Sequence, residues 1–152
     1  MWKLLRCLAP AALLALGAGA ASADSSKSYE IVDGGIPASL TGKPGDPAAG
    51  EEAMLNRKLG NCLACHAVTK LKNHPFHGEI GPALDGVADR YSEAQLRLIL
   101  VNAKQVFDGT MMPAFYKSEG FTRVMDSFAG KSILTAKQVE DVLSYLSTFK
   151  EH

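Results

Sequence analysis

The stretch NCLACH, residues 61–66, constrains this chain more than any other feature of its sequence. Cys62 and Cys65 are separated by two residues, and His66 follows directly. Two thiols and an imidazole at this spacing suit three kinds of chemistry: a redox dithiol, a zinc site, or covalent attachment of haem. Each requires different surroundings, so the rest of the sequence decides between them.

The surroundings of the motif favour haem. A redox pair of the thioredoxin type follows a strand in a βαβ pattern, whereas the preceding EEAMLNRKLG is typical of a helix. A zinc site needs two more ligands, and His74 and His77 are available, but their intervals are shorter than usual zinc-finger spacing. Cys-x-x-Cys-His is the c-type haem pattern. Cys62 and Cys65 would form thioethers, and His66 would bind the iron.

The N-terminus predicts export. Lys3 and Arg6 precede an apolar run over residues 8–16, and residues 21–23, Ala-Ser-Ala, fit a small-x-small cleavage site. This is the pattern of a secretory signal peptide, so we expect residues 1–23 to be removed and the mature chain to lie in the periplasm. The apolar run is too short to cross about 30 Å of hydrocarbon, and no membrane span is predicted. Export agrees with c-type haem attachment.

Removal of the signal peptide changes the cysteine and charge counts. Cys7 is lost, which leaves only Cys62 and Cys65. Lys3 and Arg6 are the only charged residues removed from totals of 16 basic and 16 acidic, so 14 basic residues face 16 acidic ones. The mature chain has no basic patch of the kind that binds nucleic acid, and its length suits one small domain.

An electron-transfer haem needs a sixth iron ligand on the side opposite His66. A Met or a second His at that position keeps small molecules from binding the iron. Met112 is favoured, since it precedes Pro113, whose fixed φ stiffens the loop. Met111, His77 and His74 remain as alternatives. Met111 better suits a buried residue filling a gap in the core, and the histidines of HPFHGE suit solvent-facing positions.

The segment GPAL, residues 81–84, provides a candidate partner for the first ligand. A metal-binding imidazole usually donates its other N–H to a carbonyl or carboxylate. The backbone carbonyl of Pro82 is the candidate acceptor from His66. The alternative is a plain turn, because Gly-Pro is a common turn signal.

Helix signals cover most of the remaining chain, and no segment alternates as a strand does. The first helix is expected to run to about Gly60 and the last to be about 15 residues long. Gly50 of the first is predicted to let Tyr145 of the last pack closely. The fold class is therefore all-α, with short helices around one haem. The predicted helix starts are Asp46 with Pro47, and the capping boxes Ser92 with Gln95 and Thr135 with Gln138.

The chain divides into three predicted parts: the signal peptide 1–23, an extension over 24–45, and a haem domain over 46–152. Residues 24–45 are rich in Ser, Gly and Pro. Their composition favours a mobile tail over an arm that lies on a partner.

The mature sequence resembles the SoxX family of small monohaem cytochromes. The stretches that carry the resemblance are SLTGKPGDPAAG, NRKLGNCLACH, FHGEIGPALDGVADRY, TMMPAFYK and LTAKQVEDVLSYLSTF. It implies a class I cytochrome c fold, one haem c, and His66 and the Met before Pro113 as axial ligands. It also implies a tight heterodimer with SoxA, in which the N-terminal arm contributes to the interface.

The resemblance further implies a role in sulfur oxidation. The SoxAX complex, an L-cysteine S-thiosulfotransferase, joins thiosulfate to a cysteine of SoxY, the carrier in SoxYZ. The chain would be its non-catalytic electron-transfer subunit and would pass electrons from SoxA to a small periplasmic cytochrome c. A positive reduction potential is expected. The alternatives are a freestanding diffusible cytochrome and a gas-binding haem protein, which needs an open iron.

Overall fold

The computed structural model describes residues 28–151, and these residues form four α-helices and several 3-10 turns. The helices are α1 (Pro47–Leu55), α2 (Val87–Arg90), α3 (Glu93–Asn102) and α4 (Ala136–Leu146). Within residues 28–151 there is no strand, only an isolated bridge between Val32 and Gly35. The all-α expectation is confirmed. The predicted signal peptide, with Cys7, lies outside the described residues.

Helix α1 begins where the sequence predicts and ends earlier. The Asp46 side chain accepts a hydrogen bond from the N–H of Ala48, and Pro47 occupies the first turn. The predicted end at Gly60 is wrong, because the helix ends at Leu55. The Asn56 side chain accepts from the N–H of Lys58 at 2.9 Å, a local bond that competes with the next helical turn.

Helices α1 and α4 form the centre of the fold. The predicted close approach is confirmed: a Cβ on Gly50 would overlap the backbone carbonyl of Asp141 and lie 3.0 Å from Cβ of Tyr145. Glycine at this position therefore lets the two backbones come together. The predicted capping boxes are also present, at Ser92 for α3 and at Thr135 for α4.

Residues 35–45 form a segment, here called the N-terminal strap, that packs on α3 and α4. Ile36 is 1% exposed, and its N–H donates to the carbonyl of Ala94 in α3. The N–H of Leu40 donates to the Glu140 carboxylate in α4 at 2.9 Å. The expectation of a mobile tail, drawn from composition, is wrong for these residues, because their backbone is bonded to the helices.

A buried ion pair joins the strap to both helices. Arg97 of α3 and Glu140 of α4 are each 3% exposed, and Arg97 Nε donates to Glu140 Oε1 at 2.9 Å. A second nitrogen of Arg97 donates to the carbonyl of Ile36 at 2.8 Å. Both charges are thus compensated by hydrogen bonds, as buried charges require.

No helix within residues 28–151 has the length and apolar character needed to cross a membrane.

Candidate haem site

The Cys-x-x-Cys-His motif folds into one tight turn. Cys62–Ala64 is a 3-10 turn, and the carbonyl of Cys62 accepts from the N–H groups of Cys65 at 3.1 Å and His66 at 3.0 Å. Asn61, which precedes the turn, has a φ of 47°, a left-handed conformation that Asn tolerates better than most residues. Both thiols and the imidazole therefore project from one compact piece of backbone.

The start of the turn is held against α1. The N–H of Gly60 donates to the carbonyl of Ala53 at 3.0 Å, and the N–H of Asn61 donates to that of Asn56 at 3.1 Å. The early end of α1 frees these carbonyls for the turn. The helix end thus positions the cysteine pair.

The His66 ring is oriented by a backbone carbonyl. Nδ1 of His66 lies 2.7 Å from the carbonyl oxygen of Pro82. This is the contact that the sequence suggested. A carbonyl can only accept, so Nδ1 carries the proton and Nε2 keeps the lone pair that binds a metal.

Gly81 is a functional position that the sequence analysis missed. A Cβ at Gly81 would overlap the imidazole of His66, so only glycine lets the loop approach the ring this closely. The Gly-Pro pair in the sequence predicts only a turn or a carbonyl acceptor. The sequence feature that marks this position is the glycine itself, which directly precedes Pro82.

A frame of hydrogen bonds fixes the loop that carries Pro82. The N–H of Gly81 donates to the carbonyl of Cys65 at 2.8 Å, and the N–H of Leu84 donates to that of Ala67 at 3.0 Å. The Arg90 guanidinium donates to the carbonyl of Ala83 at 2.8 Å. The acceptor for His66 is thereby held on both sides.

The expectation that the two downstream histidines face solvent is confirmed for His74 and is wrong for His77. His74 is exposed. His77 is partly buried, and its Nδ1 accepts from the N–H of Val68 at 3.2 Å while Nε2 lies 3.1 Å from the carbonyl of Leu71. With both ring nitrogens engaged, His77 acts as a brace for the backbone that follows the motif.

The two adjacent methionines lie in opposite environments. Met111 is 79% exposed, so the expectation that it fills a gap in the core is wrong. Met112 is partly buried and packs against the hydrophobic core. Its carbonyl accepts from Lys104 Nζ at 2.9 Å, and its N–H donates to Thr110 Oγ1 at 3.2 Å. Of the two thioethers, Met112 is the one directed toward the interior.

The competing chemistries for the cysteine pair find no support in the described residues. No group of three or more His, Cys, Asp or Glu side chains in residues 28–151 is arranged to hold a metal ion, as a Cys2His2 zinc site requires. Burial raises the pKa of the Cys62 thiol to about 12, the opposite of what a reactive redox thiolate needs.

The residues present fit a haem. The thiols suit thioether formation, and His66 offers one free ring nitrogen. Large apolar side chains are exposed in the sequence that follows the motif and in the sequence on either side of Met112, and an apolar ring system is suited to cover such side chains. They are Phe76, Ile80, Val106, Phe107, Phe121, Val124 and Met125, each at least 37% exposed. Ile31 and Val32 are exposed as well but lie outside these segments.

Comparisons with known proteins agree with this site. The family model described as cytochrome c matches residues 47–150. The crystal structure of SoxXA from P. pantotrophus contains a chain that is 50% identical, with a TM-score of 0.75 over 81% of this chain and 95% of that one. No curated protein matches the chain.

The family match and the geometry of the motif together assign the cofactor. One haem c is bound covalently, with Cys62 and Cys65 in the attachment positions. Residues 28–151 form helices and no strand, and together with the likeness to the SoxXA structure this gives the class I cytochrome c fold. The chain belongs to the cytochrome c family and is a SoxX-type member of it.

Proposed function

We propose that this chain is the electron-transfer subunit of a periplasmic SoxAX-type complex. The observation that carries the proposal is a complete haem-attachment site within a chain 50% identical to one in the SoxXA structure. The identity extends over 81% of the sequence, well beyond the short motif common to c-type cytochromes. The predicted signal peptide supports export, and SoxA is the proposed partner.

His66 and Met112 are the proposed axial ligands. His66 has its Nδ1 engaged by Pro82, which leaves Nε2 for the iron. Met112 is the partly buried member of the methionine pair. Ligation by both residues would leave no coordination position open for a substrate or a gas, as an electron carrier requires and a gas-binding protein does not.

The haem, when bound, supplies reversible one-electron chemistry, and the protein supplies position and environment. Cys62 and Cys65 are used as thioethers and are therefore not nucleophiles. The residues around the motif instead hold the imidazole, exclude water with apolar side chains and keep the loops fixed. A Met ligand and an apolar surrounding both favour the ferrous state, which supports a positive potential.

The proposed reaction places this chain after the coupling step. In SoxA, the outer sulfur of thiosulfate and the thiolate of a SoxY cysteine form an S–S bond. This step releases two electrons. The chain passes them, one at a time, to a small periplasmic cytochrome c, so the chain itself makes and breaks no covalent bond.

The test is the redox state of this chain during coupling. The oxidised complex is mixed with thiosulfate and the SoxYZ carrier, and the ferrous absorption bands of this subunit are followed. We expect them to appear only when all components are present and to disappear when an oxidised small cytochrome c is added. Formation of the SoxY adduct at full rate while this haem stays ferric would reject the relay.

A second measurement tests the closed iron. Carbon monoxide is added to the native ferrous protein, and its spectrum is compared before and after addition. An unchanged spectrum supports two protein ligands, whereas rapid formation of a carbonyl complex would indicate a gas-binding protein.

A further inference from the structure

Two neighbouring methionines offer the iron the same chemistry. Met111 and Met112 carry identical thioethers on adjacent residues, yet Met111 is 79% exposed while Met112 packs on the core. Side-chain chemistry cannot account for the difference, because it is the same in both. The choice is therefore made by the register of the loop backbone.

The end of the loop is anchored on α3. The N–H of Phe115 donates to the carbonyl of Leu100, and the N–H of Tyr116 donates to that of Val101, each at 3.2 Å. Both aromatic side chains are buried. Pro113, between these anchors and the methionines, has no N–H with which to hold the register.

The start of the loop is held by the Lys104 side chain and by two local bonds, in which the N–H of Thr110 donates to the carbonyl of Phe107 at 3.4 Å and the N–H of Met112 donates to Thr110 Oγ1 at 3.2 Å. Lys104 Nζ donates to the carbonyl of Thr110 at 3.0 Å and to that of Met112 at 2.9 Å. The N–H of Lys104 donates to the side chain of Asn102, which is 6% exposed, at 3.3 Å. The ammonium thus bonds to the carbonyls of the residues on either side of Met111. The backbone of Lys104 is itself held at the end of α3.

We propose that Lys104 is a positioning residue that sets the register of the 110–112 loop and thereby selects Met112 over Met111 as the haem ligand. This inference rests on the proposed ligation by Met112. A one-residue slip would bring Met111 into the place of Met112 and remove the Met112 carbonyl from the ammonium.

Every residue carries a carbonyl, so the selection depends on the loop conformation that aims these two at one ammonium. That conformation contains Gly109 at a φ of 69°, and a one-residue slip would place Asp108 there, in a region that disfavours residues with a side chain. The bonds of Lys104 therefore stabilise the present register.

The experiment counts ligand states in the ferrous holoprotein by proton NMR. The methyl group of a haem-bound methionine resonates far upfield because it lies over the porphyrin ring. The wild type is expected to show one such methyl. Lys104→Ala should show two, or one broadened by exchange, with a weaker thioether-to-iron absorption band in the ferric state. Lys104→Arg keeps donors for both carbonyls and should retain a single sharp methyl.

A double variant distinguishes a loss of ligand selection between Met111 and Met112 from a general increase in the mobility of the 110–112 loop. Met111→Leu alone should leave the spectrum unchanged, and Lys104→Ala with Met111→Leu should return it to one methyl. A single sharp methyl in Lys104→Ala, or heterogeneity that persists in the double variant, would overturn the proposal. Lys104 is exposed, so its replacement leaves the core intact.

Failure of the ligation itself has a different signature. Met112→Leu keeps the apolar volume and removes the thioether. If Met112 is the ligand, the wild-type methyl disappears. If that methyl is unchanged in Met112→Leu, ligation by Met112 is rejected, and with it the selection of Met112 by Lys104.

Discussion

The imidazole of His66 is fixed from two directions. The carbonyl of Pro82 accepts from Nδ1 at 2.7 Å, and the backbone of Gly81 lies so close that a Cβ would overlap the ring. A hydrogen bond to the free nitrogen of a ligating His raises its basicity, and restricted rotation holds Nε2 in place. With His66 as the proposed iron ligand, Gly81 and Pro82 would help to set the potential of the haem without touching the iron.

Gly81→Ala tests this packing. The added methyl must displace the imidazole or the loop, and we expect a loss of about 1–3 kcal/mol in the free energy of unfolding, the usual range for overpacking. The measurement is denaturant unfolding of the holoprotein, together with the reduction potential. Ala83→Ser, at an exposed site two residues away, is the control and should change neither. Wild-type stability and potential in Gly81→Ala would contradict the close contact.

Met112→His tests the sixth ligand. Replacement of a thioether by an imidazole favours ferric iron, so we expect the potential to fall by about 0.1–0.3 V, within the roughly 0.8 V that axial ligands control. Met111→Leu is the matched control, because Met111 is exposed and should have no effect. Equilibrium redox titration measures both. An unchanged potential in Met112→His would show that another residue binds the iron.

Helices α1 and α4 meet through Gly50, where helix propensity and packing make opposite demands. In an exposed helix, Gly→Ala stabilises by about 0.5–1 kcal/mol. Here the methyl would overlap the Asp141 carbonyl of the neighbouring helix.

Gly50→Ala is therefore expected to destabilise the protein, by about 1–3 kcal/mol or more, because overpacking outweighs propensity. Thermal or denaturant unfolding gives the sign directly. Glu52→Ala, at an exposed position in the same helix, should stay within about 0.5 kcal/mol of the wild type. A stabilised Gly50→Ala would show that the helices are farther apart than the structure places them.

The N-terminal strap is held by the Glu140 carboxylate in α4. Arg97 has two carboxylate partners, one buried and one exposed, so the two can be compared. Arg97 pairs with buried Glu140, 3% exposed, and with Glu93, which is 66% exposed. Glu140→Ala leaves the Arg97 charge buried and the N–H of Leu40 without its acceptor, at an expected cost of about 3–5 kcal/mol. Glu93→Ala removes an exposed partner and should cost less than about 1 kcal/mol. Equal losses in the two variants would reject a structural role for the buried pair.

Local patterns in the sequence predicted local structure well. The capping boxes at Ser92 and Thr135 and the attachment turn at Cys62 are formed by residues within five positions of one another. The strap was missed because Leu40 and Glu140 are 100 positions apart, and only the folded chain brings them together. The contacts of His77 were missed for a different reason: its partners are close in sequence, but they are backbone groups of a turn that composition does not specify.

The whole molecule combines a fixed haem site with a strapped N-terminal segment. Residues 35–45 are bonded to α3 and α4, so any contact they make with a partner would come from their outer face. Pro37 and Ala38 are exposed there, next to buried Ile36. The extension is thus a candidate interface built on the domain itself, which agrees with the proposed heterodimer.

The most direct test of the account is gentle purification of the native protein from periplasm, with co-purifying chains identified and stained for covalent haem. We predict a second, larger c-type subunit of the SoxA type in one-to-one ratio with this chain. A lone monohaem chain, recovered under conditions that preserve tight dimers, would contradict the complex and identify a freestanding electron carrier.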